Sequence, residues 1–245
     1  MPRKQRSNNS KTNSKHRTKS MNKHSSVLNI NHISPLTESQ NRAFLYYYDN
    51  KNLVLSGMAG TGKTFIAMYL ALKQALDTNT TTNSVYIVRS AVPTRDLGFL
   101  PGTATDKLSM YEPAYRAICS DLFGRNDAYE ILQSKGVLKF ISTSYLRGQT
   151  YDNSIIILDE MQNCTYQELD TVMTRIGQNS RVIFSGDFKQ ADLTSSRDRQ
   201  GLSDFLKVLR KMPKETFGHV NFGLADIVRS GLVKEYLIAK DAYFT

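Results

Sequence analysis

The stretch Asn52-Leu53-Val54-Leu55-Ser56, Gly57-Met58-Ala59-Gly60-Thr61-Gly62-Lys63-Thr64, and the run FIAMYLALKQAL that follows it decide the fold class of this chain. Its first part is an uninterrupted apolar run of strand length, and its last part repeats apolar residues at helical spacing. Between them, Gly57 to Thr64 satisfies G-x-x-x-x-G-K-[ST] in the strand-to-helix setting that gives this pattern its meaning. The glycines let the backbone curl so that successive N–H groups face phosphate oxygens, and the helix N-terminus adds partial positive charge. Lys63 is expected to reach the β- and γ-phosphates, and Thr64 to place its hydroxyl on Mg²⁺. A glycine-rich turn carrying a surface lysine would need none of this context.

Working outward, further buried-strand candidates are Ser84 to Val88, Val137 to Ser142, Ser154 to Leu158 and Arg181 to Ser185. Helical stretches fall between most of them, which predicts an α/β fold with a mostly parallel sheet covered by helices on both faces. One helix is signalled at both ends, by the Thr165-x-x-Glu168 capping box and by a stop at Gly177.

The run SIIILDEMQN delivers Asp159 and Glu160 at the carboxyl end of a strand, where open α/β sheets place their ligands. Asp159 is the expected Mg²⁺ partner, and Glu160 the base that orients and deprotonates a water. The bland alternative is an acidic start to a helix. Downstream, Gly186-Asp187-Phe188-Lys189-Gln190 ends another strand, and Gln190 is expected beside the γ-phosphate.

Five ordered segments, GMAGTGKT, RSAVPTRDLGFLPG, SYLRGQTYDNSIIILDEMQN, SGDFKQADL and LADIVRSGLVKEYL, resemble the PhoH family of ATPases from about Ile33 to the C-terminus. The resemblance implies a RecA-like P-loop NTPase fold related to superfamily 1 helicases, with ATP and Mg²⁺ as cofactors and RNA or single-stranded DNA as the partner. Gln149 departs from the family pattern, which tends to arginine there. Gln40 resembles the helicase glutamine that hydrogen-bonds adenine, although Thr37-x-x-Gln40 also reads as a capping box. Arg229 matches the family arginine expected to reach a γ-phosphate. A two-lobed helicase closes a second lobe over its nucleotide, and this chain has room for one. A ring of copies, a hexamer above all, with Arg229 of one subunit completing the next site, is the expected remedy.

Of the 245 residues, 40% are hydrophobic, and no apolar run reaches the roughly 18 residues of a membrane span. No apolar secretory segment opens the chain, and Cys119 and Cys164 have no zinc spacing, so a cytoplasmic, reducing setting away from membranes is expected. The net charge is +10, and eight basic residues from Arg3 to Lys23 precede the first acidic residue, Glu38; subtracting them leaves +2. So polar a segment cannot offset its ordering entropy, which predicts a disordered basic tail over 1–32 and a folded ATPase domain over 33–245. Basic tails of this kind commonly bind phosphate backbones by releasing counterions, the alternative being a solvated leader with no dedicated partner. Two other functions fit parts of the pattern: a P-loop nucleotide kinase, which would need an acceptor pocket and an arginine-rich lid, and a non-catalytic ATP-binding module that tethers nucleic acid.

Overall fold

Ser154–Leu158 is buried at all five of its positions, as expected for a strand with a helical layer on each face. In the computed structural model, which describes residues 28–90, 109–188 and 196–244, it is β4, inside a six-stranded parallel sheet. The strands are β1 (Asn52–Gly57), β2 (Ser84–Arg89), β3 (Leu138–Ser142), β4, β5 (Arg181–Gly186) and β6 (Phe217–Phe222), in the order β3-β2-β4-β5-β1-β6. The helices are α1 (Glu38–Tyr48), α2 (Lys63–Ala75), α3 (Glu112–Phe123), α4 (Ala128–Ser134), α5 (Tyr166–Thr174), α6 (Ser196–Lys211) and α7 (Gly231–Phe244).

Successive strand residues point to opposite faces, so each strand feeds two cores. Leu53, Leu55, Ile155 and Ile157 join α1 to α4 in one, and Val54, Ile156, Leu158 and Phe184 join α5 and α6 in the other. Every expected strand is present. β6 is an addition, an edge strand whose His219 and Asn221 face solvent, and it pairs with β1 through Val54↔His219 and Leu55↔Val220.

The α5 capping box forms in full, with the Thr165 side chain accepting from the Glu168 N–H and Glu168 reaching back to Thr165. The helix ends at Thr174, short of Gly177, because Ile176 bridges to Tyr151 and the Gly177 N–H donates to the Tyr151 carbonyl at 2.9 Å. Gly177 therefore ends no helix in a left-handed turn; the local β-bridge takes the chain first. The Thr37 box is only half made. Its hydroxyl accepts from the Gln40 N–H at 3.2 Å, but the Gln40 side chain goes elsewhere.

Ordered packing reaches back to Leu28 and Ile30, which lie against the first core. Most of the expected tail, the RSAVPTRDLGFLPG segment beyond Ser90, and Gln190 lie outside the described residues.

Candidate functional site

Three glycines shape the loop between β1 and α2, with φ of 127° at Gly57, 78° at Gly60 and 83° at Gly62. At Gly57 a Cβ would sit 2.7 Å from the Phe222 nitrogen, so the close approach of β6 as well as the turn requires glycine. The loop's carbonyls are held from outside the loop or by its own side chains. Gln40 Nε2 donates to the Thr61 carbonyl at 3.1 Å, the Val228 N–H to Gly60 at 3.1 Å, and the Thr61 hydroxyl to Met58 at 2.8 Å. Lys63 Nζ donates to the Gly57 and Met58 carbonyls at 2.8 and 2.7 Å. With its carbonyls turned outward in this way, the loop and the first turn of α2 are left to offer N–H groups to an anion.

β4 lies two strands from β1, with β5 between them, and brings the acidic pair to the same edge. Asp159 is buried, and its two oxygens accept from two hydroxyls: Thr64 Oγ1 to Oδ1 at 2.9 Å and Tyr115 OH to Oδ2 at 2.9 Å. Glu160 holds a left-handed conformation, φ 54° and ψ 44°, which costs about 1–2 kcal/mol for a residue with a Cβ. Such strain is tolerated where it aims a functional side chain. Burial and the neighbouring Asp159 push the Glu160 carboxyl above its ordinary range, with Arg89, Gln162 and Lys63 pulling back. A raised carboxylate is the better proton acceptor at neutral pH. Burial lowers the Lys63 ammonium, against the attraction of Asp187, Glu160 and Asp159.

Lys63, Thr64 and Glu160 line one cleft of about 1000 Å³ together with Gln40, Gly60 and Arg229. It is also lined by His32, Ile33, Ser34 and Leu36 and by Ala114, Ala117, Ile118 and Asp121 of α3. Gln40 is buried and also accepts the Leu36 N–H on Oε1 at 2.8 Å. An amide carries two donors and two lone pairs, so one of each remains for a ligand. Arg229 is exposed and lies over the loop of its own chain: a Cβ on Gly60 would meet its Cγ at 2.9 Å.

Residues beside the cleft that sequence reasoning did not single out join this network. Arg89, at the end of β2, stacks on Tyr111 at 3.9 Å and faces both acids. Gln162 donates to Glu160 and accepts the Asp187 N–H at 3.0 Å, which ties the acidic pair to the end of β5. The D-E-x-Q and G-D-x-x-Q patterns contained Gln162 and Asp187, and RSAVP opens on Arg89; nothing in the sequence marked Tyr115.

For Mg²⁺, the donor set fits. Among the described residues no group of three His, Cys, Asp or Glu could hold a metal by itself. Mg²⁺ is commonly bound through one or two protein oxygens plus substrate phosphates, and Thr64 with Asp159 offers that pair beside the phosphate loop.

The family model described as PhoH-like protein matches residues 32–241. The PhoH-like protein of Mycobacterium leprae is 35% identical over 215 residues, 86% of this chain and 58% of its own length. Protein PhoH of Escherichia coli K12 is 34% identical over 207 residues, 82% of this chain and 57% of its own. This chain thus spans less than two thirds of the relatives it matches. Among solved structures, the large terminase of a thermophilic bacteriophage in complex with ADP has 12% identity and a TM-score of 0.48, over 83% of this chain and 49% of its own.

Proposed function

The chain belongs to the family of PhoH-like proteins, and from that premise we propose that it is a Mg²⁺-dependent ATPase that acts on RNA or single-stranded DNA as a homo-oligomer. The observation that carries the reading is the 2.9 Å contact between Thr64 Oγ1 and Asp159 Oδ1, with Glu160 next in the chain and lining the same cleft. Phosphate loop and acidic pair thereby form one site.

In this reading the N–H groups of Ala59 to Thr64 wrap the β-phosphate, and Lys63 leaves its loop carbonyls for the β- and γ-oxygens. Thr64 and Asp159 hold Mg²⁺, which when bound offsets the charge of the β- and γ-phosphates. Glu160 accepts the proton of the attacking water, with Gln162 fixing its carboxyl. Gln40 presents its remaining donor and acceptor to the adenine edge, and Arg229 meets the γ-phosphate. The position of Arg229 over its own Gly60 supports action within one subunit rather than across an interface. Gln190 completes the site in this proposal as the residue beside the γ-phosphate.

The nucleic-acid part rests on charge: eight basic residues between Arg3 and Lys23 in a chain of net +10. Support for self-association comes from α7, which leaves Leu232 79%, Tyr236 63% and Tyr243 83% exposed, apolar surface of the kind that serves interaction sites. Phosphate release from ATP, measured with and without Mg²⁺ and with RNA or single-stranded DNA added, tests the proposal. Hydrolysis that needs Mg²⁺ and rises with one of the nucleic acids is expected; no hydrolysis under any of these conditions would leave a binding module.

A further inference from the structure

Tyr115 is one of the largest fully buried side chains, and burying a tyrosine hydroxyl is tolerated only when it finds a partner. Its ring packs against Phe140, with centroids 5.0 Å apart, and its hydroxyl donates to Asp159 Oδ2 at 2.9 Å. The Arg89 guanidinium is close enough for its positive charge to act on this hydroxyl. A carboxylate oxygen accepts, so the one hydroxyl proton is directed at Asp159. The terminal torsion of an aspartate is broad, and one partner on one oxygen does not fix the carboxylate plane. Here Oδ2 is held by Tyr115, which leaves Oδ1 turned to Thr64 at 2.9 Å.

We propose that Tyr115 is a positioning residue that sets the Asp159 carboxylate for the Mg²⁺ of the nucleotide complex. This rests on the reading of Thr64 and Asp159 as the metal side of the site. The element that carries Tyr115 makes the assignment more than local. Ala114, Ala117, Ile118 and Asp121 put one face of α3 on the nucleotide cleft, while Tyr115 turns inward to the carboxylate. A single helix therefore walls the cleft and aims the metal-side acid. Partners that orient metal ligands commonly set metal affinity by about 10- to 100-fold.

Tyr115→Phe removes the hydroxyl and keeps the ring that packs on Phe140, so a folded variant is expected, checked by its melting curve. Mn²⁺ serves as the probe, titrated into the protein with ADP and followed by its electron paramagnetic resonance signal. The wild type should bind one Mn²⁺ with ADP, and Tyr115→Phe should bind it about 10- to 100-fold more weakly. ADP affinity in the absence of divalent metal should not change. A double-mutant cycle adds the partner: in an Asp159→Asn background, Tyr115→Phe should cause no further loss of Mn²⁺ affinity. Wild-type Mn²⁺ affinity in Tyr115→Phe, a lower melting temperature being its only change, would overturn the role given to Tyr115 and leave the metal site standing. A further loss in the Asp159→Asn background would show that the hydroxyl acts through another group. Failure of the wild type itself to bind Mn²⁺ with ADP would instead remove the metal-site reading on which the proposal rests.

Discussion

Arg229→Ala separates two ways of building this site. The side chain lies over Gly60 of its own chain, and the neighbouring Val228 N–H is bonded to the Gly60 carbonyl at 3.1 Å, so the strap before α7 is fastened to the phosphate loop. Leu237, from the second turn of α7, packs in the same place, 3.4 Å from a Cβ on Gly60. A charge delivered to a γ-phosphate by an arginine is worth about 10³ to 10⁵ in rate. Arg229 is exposed, solvent screens it, and the lower figure applies: a loss of about 10³-fold, about 4 kcal/mol of transition-state stabilisation. ATP affinity should fall far less. The decisive assay mixes Arg229→Ala with Glu160→Gln subunits and measures phosphate release. If each subunit uses its own arginine, every site in the mixture still lacks either Glu160 or Arg229, and the mixture stays inactive. Activity recovered on mixing, in assemblies shown by mass measurement to contain both variants, would refute the reasoning and give the arginine to a neighbour.

Other consequences concern stability, base choice and the tail. Burial pushes the Asp226 carboxyl up, but hydrogen bonds from Thr37, Gly223 and Ser39 outweigh it and hold the group below its ordinary range. Its stabilisation is therefore present above the unfolded value of about 3.9 and is lost as the pH falls through the lower folded one. Asp226→Asn should cost about 1.5–3 kcal/mol at neutral pH in chemical denaturation, and the gap to wild type should close below about pH 4; a gap that persists in acid would refute it. Gln40→Ala should weaken ATP binding and narrow any preference over GTP, because it removes the proposed base contact along with the bond to the Thr61 carbonyl; calorimetry with both nucleotides reads this, and an unchanged ratio would free Gln40 of the base. Deleting residues 1–26 should leave basal ATP hydrolysis intact and flatten the salt dependence of nucleic-acid binding, with an equal slope assigning the charges another task.

The parts of the site that were legible in the sequence are those whose chemistry is contiguous. Gly57 to Thr64 carries its own strand, turn and helix start, and Ser154 to Glu160 carries both the burial of a central strand and the acids at its end. The α5 start was equally local, since a capping box closes within one turn. What escaped depends on topology. Tyr115 meets Asp159 across 44 positions, only because α3 packs back over the edge where β4 ends, and no spacing rule encodes such a contact. β6 escaped because an edge strand with one face in water mixes Gly218, His219 and Asn221 among its apolar residues. The end of α5 failed for a related reason: the competing partner of Ile176 is Tyr151, in another part of the chain.

The central claim, a water-splitting carboxylate beside a phosphate loop, is tested most directly by Glu160→Gln. The amide fills the same space and can keep a hydrogen bond to Gln162, but it cannot take a proton from water. ATP titrated calorimetrically into the variant should bind as to the wild type, while phosphate release under the same Mg²⁺ conditions falls by about 10²- to 10⁴-fold. Turnover at the wild-type rate would contradict the account.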